Sequence, residues 1–175
     1  MILEKPFRNE RLFLYIYIMK MLTYIVISVT LIVIGFFINH EFFEFSFSLL
    51  HTEGITFVNR INAGQSNSSW LLPIFLGTIP WFYALVKKIT DIEFFYKGLL
   101  TASIIVGLGI LFWRLRIFGL NAQFDELSIY NLPKGLNQQL DISILKFEVY
   151  LFMGFIVGML ISILIFRDRT KSLLN

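Results

Sequence analysis

The stretch Met21-Leu-Thr-Tyr-Ile-Val-Ile-Ser-Val-Thr-Leu-Ile-Val-Ile-Gly-Phe-Phe-Ile38 carries no charged side chain, and its only polar groups are hydroxyls. A helix over 21–38 is about 27 Å long at ~1.5 Å per residue, close to the ~30 Å of hydrocarbon in a bilayer. Lys5, Arg8 and Arg11 precede the apolar run, which is the charge order of a signal peptide. The run is too long for a signal core, has no small-residue cleavage site and ends in Asn39-His40-Glu41. It therefore reads as a retained transmembrane helix, with Lys20 reaching back to the near interface.

Three further segments have the same character: 70–86, 98–117 and 147–166. The second is short and holds Pro73 and Pro80. Neighbouring helices can satisfy the backbone groups that proline frees, so a kinked span is expected rather than a re-entrant loop. Of 175 residues, 57% are hydrophobic and only 15% charged, against about 25% charged in soluble domains. The expected fold is an all-α integral membrane protein, a four-helix transmembrane bundle forming one membrane domain over 1–175. A net charge of +3 without a polybasic tract excludes nucleic acid as a partner. The lack of cysteine excludes disulfides, thiolate metal sites and a cysteine nucleophile.

Charge placement orients the bundle. Lys5, Arg8 and Arg11, then Lys87, Lys88 and Lys97, then Arg167, Arg169 and Lys171 all fall on one side of four helices. The opposite side holds Arg60 and Lys134 beside Glu41, Glu44, Glu53, Asp125, Glu126 and Asp141. The positive-inside rule then predicts both termini in the cytoplasm, with a bacterial inner membrane as the expected setting. In the first outer segment, 39–69, Phe45-Ser-Phe-Ser-Leu49 alternates and Ile55-Thr-Phe-Val-Asn-Arg-Ile61 is β-branched and aromatic. The second, 118–146, contains the turn signature Asn131-Leu-Pro-Lys-Gly135. Together they predict a small extracytoplasmic cap of β character, or else a set of aromatics lying in the headgroup layer.

Charged residues near the outer interface are the first candidates for a site. From Gly98 to Arg114 a helix rises about 24 Å, which places Arg114 near the outer edge of the apolar layer beside Trp113. Arg116, two residues on, points to the other face. Arg114 lies above Ser103, Gly107 and Ile110, small enough for close packing, and is expected to face inward. An Arg114–Glu148 pair would serve as a polar tether or receive an anionic ligand such as a lipid headgroup; Asp125 or Glu126 are the other partners considered. Arg116, with Trp70 and Trp113, is expected to anchor the headgroup layer.

On the fourth segment, Gly154-Phe-Ile-Val-Gly158 with Ser162 forms a small-residue face. It suits packing inside the chain or contact with a second chain, as a protein partner or homo-oligomer. His40, His51, Glu41, Glu44 and Glu53 cluster in sequence without a ligand spacing, so neither a metal nor a cofactor is expected. Asn67-Ser68-Ser69 matches a glycosylation sequon and is read as turn chemistry. The hydrocarbon centre holds no ionisable residue, and no nucleophile, phosphate-loop or dinucleotide motif occurs. These absences point away from an enzyme and from a proton-coupled transporter.

Ile74 to Leu111, with the connection Phe82-Tyr-Ala-Leu-Val-Lys-Lys88 and then Phe94-Phe95, resembles the small four-helix bacterial membrane proteins grouped as DUF2975. So does Val149-Tyr-Leu-Phe-Met-Gly154 running into Arg167, while Thr170-Lys-Ser-Leu-Leu-Asn175 departs from the family's polar ending. The resemblance implies four helices and a strand-bearing outer segment, and it implies no activity. The expected function is an accessory subunit or interaction module among membrane lipids. The alternative is a small oligomeric channel or carrier for a lipid or other hydrophobic molecule, with a polar path along Thr23, Thr101 and Ser103.

Overall fold

The structure, a computed structural model, describes residues 6–51, 55–58, 68–90, 95–129, 138–141 and 145–167. Its elements are α1 (Pro6–Ser48), β1 (Ile55–Val58), α2 (Ser68–Thr90), α3 (Phe95–Ile129), β2 (Gln138–Asp141) and α4 (Phe147–Phe166). Each of the four helices contains a stretch long and apolar enough to cross a membrane: Met21–Ser48, Trp70–Thr90, Phe95–Glu126 and Phe147–Phe166. The second segment is thus a full span, with Pro73 and Pro80 inside one continuous helix.

Two antiparallel hairpins, α1–α2 and α3–α4, make the most extensive contacts. Between apolar helices in lipid the hydrophobic effect offers little drive, so close backbone approach and van der Waals packing dominate. In the first hairpin Gly35 lies against the Pro73 backbone and Gly77 against Ile32. There the Ser28 hydroxyl donates to the Gly77 carbonyl, next to Leu76, whose carbonyl loses its helical donor to Pro80. In the second, Gly154 sits on the backbone of Leu108 and Gly109, Gly158 on Ile105, and Gly109 receives the Phe155 ring. The hairpins meet where α2 crosses to α4, with Phe75 stacked on Phe152 at 4.2 Å.

The outer end departs from the sequence-based expectation. Phe45–Ser48 is the last turn of α1, not a strand. Its alternation is real, but Ser46 and Ser48 donate to the carbonyls of Phe42 and Phe45 within the same helix, and Phe43 stacks on Phe47 one turn away. Over five residues a period of two does not outweigh such i, i+4 pairing. α3 likewise continues past the expected end at 117 to Ile129. The spans of 28 and 32 residues in α1 and α3 rise about 42 and 48 Å, longer than the ~30 Å of hydrocarbon an untilted helix crosses. Strand pairing is confined, among the described residues, to β1 and β2. They pair in parallel from Ile55↔Gln138 to Val58↔Asp141, a ladder too small to constitute a domain. The Asn131–Gly135 turn and Asn67 of the sequon lie outside the described residues, whereas Ser68 and Ser69 open α2.

Candidate functional site at the outer end of the bundle

α1, α3 and α4 converge at the outer end, and named polar groups tie them. Trp113 is buried and its indole N–H donates to the Ser46 hydroxyl at 2.9 Å, between the rings of Phe42 and Phe45. Just over two turns further along α3, Asn121 grips the chain just past α1. Its Nδ2 donates to the Leu49 carbonyl at 3.0 Å, and its Oδ1 accepts from the His51 N–H at 2.9 Å. His51 also approaches Asp125 at 3.5 Å, and His40 pairs with Glu44 at 3.1 Å along α1. Phe43 meets Phe147 edge-on and closes the junction with α4.

The entry to α4 is pinned by Arg116. Lys146 caps the helix in a left-handed conformation, φ 47° and ψ 39°, without a side-chain cap. A non-glycine residue there costs roughly 1–2 kcal/mol, so something else must hold the turn. Leu145 and Phe147 on either side are buried, and the Arg116 Nε donates to the Leu145 carbonyl at 3.1 Å. The guanidinium also lies 4.8 Å from the centre of the Tyr150 ring. Glu148, in the first turn, is buried beside this junction at 7% exposure.

The two arginines are therefore exchanged relative to expectation. Arg116 is half-buried and acts as the tether; Arg114 is exposed, with its guanidinium over Trp113 at 5.5 Å. No ion pair joins Arg114 to Glu148 among the described residues. The small residues Ser103 and Gly107 beneath Arg114 face away from the bundle, and a methyl at Gly107 would meet nothing within 4 Å. The physical reason lies on the helices that α3 meets. It sets Ile105 and Gly109 against α4 and Trp113 against Ser46 of α1, so the line through Ile105, Trp113, Ile117 and Leu120 turns inward and Ser103 and Gly107 turn outward. Trp113, held between Phe42 and Phe45 of α1, is a buried strut rather than an exposed anchor, whereas Trp70 is 57% exposed and edge-on to Phe36.

Replacing Arg116 with Leu is expected to destabilise the chain by about 2 kcal/mol, the scale of a charge-assisted hydrogen bond with a cation–π contact. Arg114→Leu is expected to stay within about 0.5 kcal/mol, as at other open positions. Unfolding of the two variants by denaturant in bicelles would check the order, and the reverse ranking would reinstate Arg114 as the tether.

The fourth-helix face of Gly154, Gly158 and Ser162 is wholly buried, and α3 of the same chain occupies it. That face is not open to a second chain. Thr23, Thr101 and Ser103 share no path: Thr23 and Ser103 are exposed on separate helices, while Thr101 is fully buried. The Thr23 and Thr101 hydroxyls return to the carbonyls of Met19 and Lys97 in their own helices. Among the described residues no three His, Asp or Glu side chains converge as a metal site. Sequence reasoning missed Ser46, Asn121, Gly35 and Gly77. Only the glycines left a trace, as isolated small residues within apolar runs.

The arrangement defines a multi-pass helical membrane protein, by the length and apolarity of its four helices. Comparison with protein-family models, with curated proteins and with solved structures found no match to this chain.

Proposed function

We propose that the chain is a non-catalytic integral membrane protein, an accessory subunit or interaction module that holds a partner within the bilayer. Both termini lie in the cytoplasm of a bacterial cell, on the charge asymmetry described above. The outer extensions of α1 and α3, with the β1–β2 ladder and the segments around it, form a small extracytoplasmic cap in this reading. The DUF2975-like layout accords with it and adds no activity.

The observation that carries the proposal is the position of α1. Only 11% of its most apolar window is buried, against 28% in each of the other three spans. It packs along one line, Ser28, Ile32 and Gly35, against α2, and is apolar on every side. Val33 and Phe37, one turn apart, stand 48% and 77% exposed. A helix apolar all round is ordinarily covered all round, by lipid or by other helices. The hydroxyls of Thr23 and Thr30 on the same helix bond to their own backbone, so no polar lining accompanies the open surface. This favours a packed neighbour over a water-filled channel.

A photoreactive phenylalanine placed in turn at positions 33 and 37 tests this in native membranes. One adduct of the same added mass from both positions, absent from a probe at the buried Phe155, is expected. Lipid adducts alone at both positions would overturn the accessory role.

A further inference from the structure

A cleft of about 510 Å³ opens in the half of the bundle that ends in Lys87, Lys88 and Lys97. α2 forms its floor through Ile79, Pro80, Tyr83 and Lys87; Tyr24, Ile27 and Leu31 of α1 make one wall, and Phe95, Gly98, Leu99 and Ala102 of α3 the other. The cleft lies where α1 and α3 flank α2. At the outer end Ser46–Trp113 and Asn121–Leu49 tie them together. Over the bundle as a whole α1 packs chiefly on α2 and α3 on α4, and beside the cleft Gly98 of α3 lies against the Tyr83 hydroxyl of α2. The wedge between α1 and α3 is lined by residues of three apolar spans.

The lining has a direction. Seven residues separate Tyr24 from Leu31 and also Phe95 from Ala102, which gives the walls a length of about 11 Å along the helices. The deep part is aliphatic. At the mouth, Tyr83 and Lys87 stand one turn apart on the same face of α2, and the Tyr24 ring lies 6.4 Å from that of Tyr83. Lys87 is exposed and makes no ion pair among the described residues. Asp91 and Glu93 follow in the connecting segment, so attraction for an anion rests on Lys87 itself, the cation that lines the cleft.

We propose that this cleft binds a glycerophospholipid with an anionic headgroup from the adjoining leaflet. One acyl chain lies between Ile27, Leu31 and Leu99, and the phosphate meets the Lys87 ammonium with the two tyrosine hydroxyls beside it. An apolar slot with a single cation and phenolic donors at its mouth matches that amphiphile. It does not match a free phosphate, which has nothing to place against the aliphatic walls. The proposal stands apart from the accessory role, since it concerns α2 and its flanks rather than the open side of α1.

The test uses the full chain, delipidated in detergent, followed by native mass spectrometry and thermal unfolding. Phosphatidylglycerol is expected to be retained and to raise the melting temperature; phosphatidylcholine of the same chains and glycerol phosphate alone are expected to do neither. Lys87→Gln should weaken retention roughly fivefold, the effect of one lysine on an anionic lipid. Ala102→Trp, which fills the cleft from a half-buried position, should abolish it. Equal retention of both phospholipids, or retention unchanged in both variants, would mean ordinary surface lipid and would overturn the site. Stabilisation by glycerol phosphate alone would overturn it in favour of a soluble anion.

Discussion

Gly154→Ala is expected to force α3 and α4 apart and to destabilise the chain by about 3 kcal/mol or more, at the upper end of what overpacking costs. A Cβ at this position would stand 2.6 Å from the Gly109 Cα and 2.8 Å from the Leu108 carbonyl carbon. Both obstacles are backbone, so no rotamer change relieves them. Only a shift of one helix axis does, and that shift also opens the contacts of Gly158 with Ile105 and of Gly109 with Phe155. Gly107→Ala and Gly119→Ala supply the control, because a methyl at either meets nothing within 4 Å. They are expected to be neutral or to stabilise by up to about 1 kcal/mol through helix propensity. Unfolding midpoints of the three variants in one bicelle composition decide the matter. A Gly154→Ala protein as stable as the Gly107→Ala protein would show that the α3–α4 seam is not the close contact described.

Gly35→Ala is the second large effect, about 2–3 kcal/mol by the same overpacking argument. Here the added carbon would lie 2.6 Å from the Pro73 Cα and 3.2 Å from its nitrogen. Proline is stiff and cannot yield, and Pro73 is itself fully buried within α2. The expected consequence is specific to one hairpin: α1 lifts from α2 while the α3–α4 seam remains. Disulfide trapping reads this directly, since the chain has no native cysteine. A cysteine pair at Ile32 and Thr78, flanking the seam, should cross-link in the parent and much less after Gly35→Ala. A pair at Leu108 and Ile156 should be unaffected. Loss of both cross-links would mean that the hairpins do not behave as separate packing units.

Much of the helical layout was legible in the residues, and the faces were not. The fourth span was expected at 147–166 and is found at Phe147–Phe166, because its sole charge, Glu148, lies in the first turn and Arg167 follows the last. The outer ends of α1 and α3 were misjudged because hydropathy reports where a helix leaves lipid, not where it stops being helical. At Phe45-Ser-Phe-Ser the residues satisfied two periodicities, and hydrogen bonds back to Phe42 and Phe45 decided between them. The arginines illustrate a deeper limit. Which side of α3 faces inward depends on the helices it meets; α4 took Ile105 and Gly109, α1 took Trp113, and that line carried Arg116 inward with it. That information lies some forty residues away. The cleft was illegible for a similar reason, since it is set by how three helices pack rather than by any motif.

The grip of Asn121 on Leu49 and His51 also bears on how the chain is made. Its two hydrogen bonds span 72 and 70 residues of sequence, and the Trp113–Ser46 bond spans 67. Chains emerge from the ribosome N-terminus first, so α1 and α2 are synthesised before anything exists that can fasten the far end of α1. During that interval its last turns have no partner from α3. The latch closes only once the third helix has crossed, so the outer end of the first helix, like the α2 face that stacks on Phe152 of α4, acquires its native surroundings only from the second hairpin.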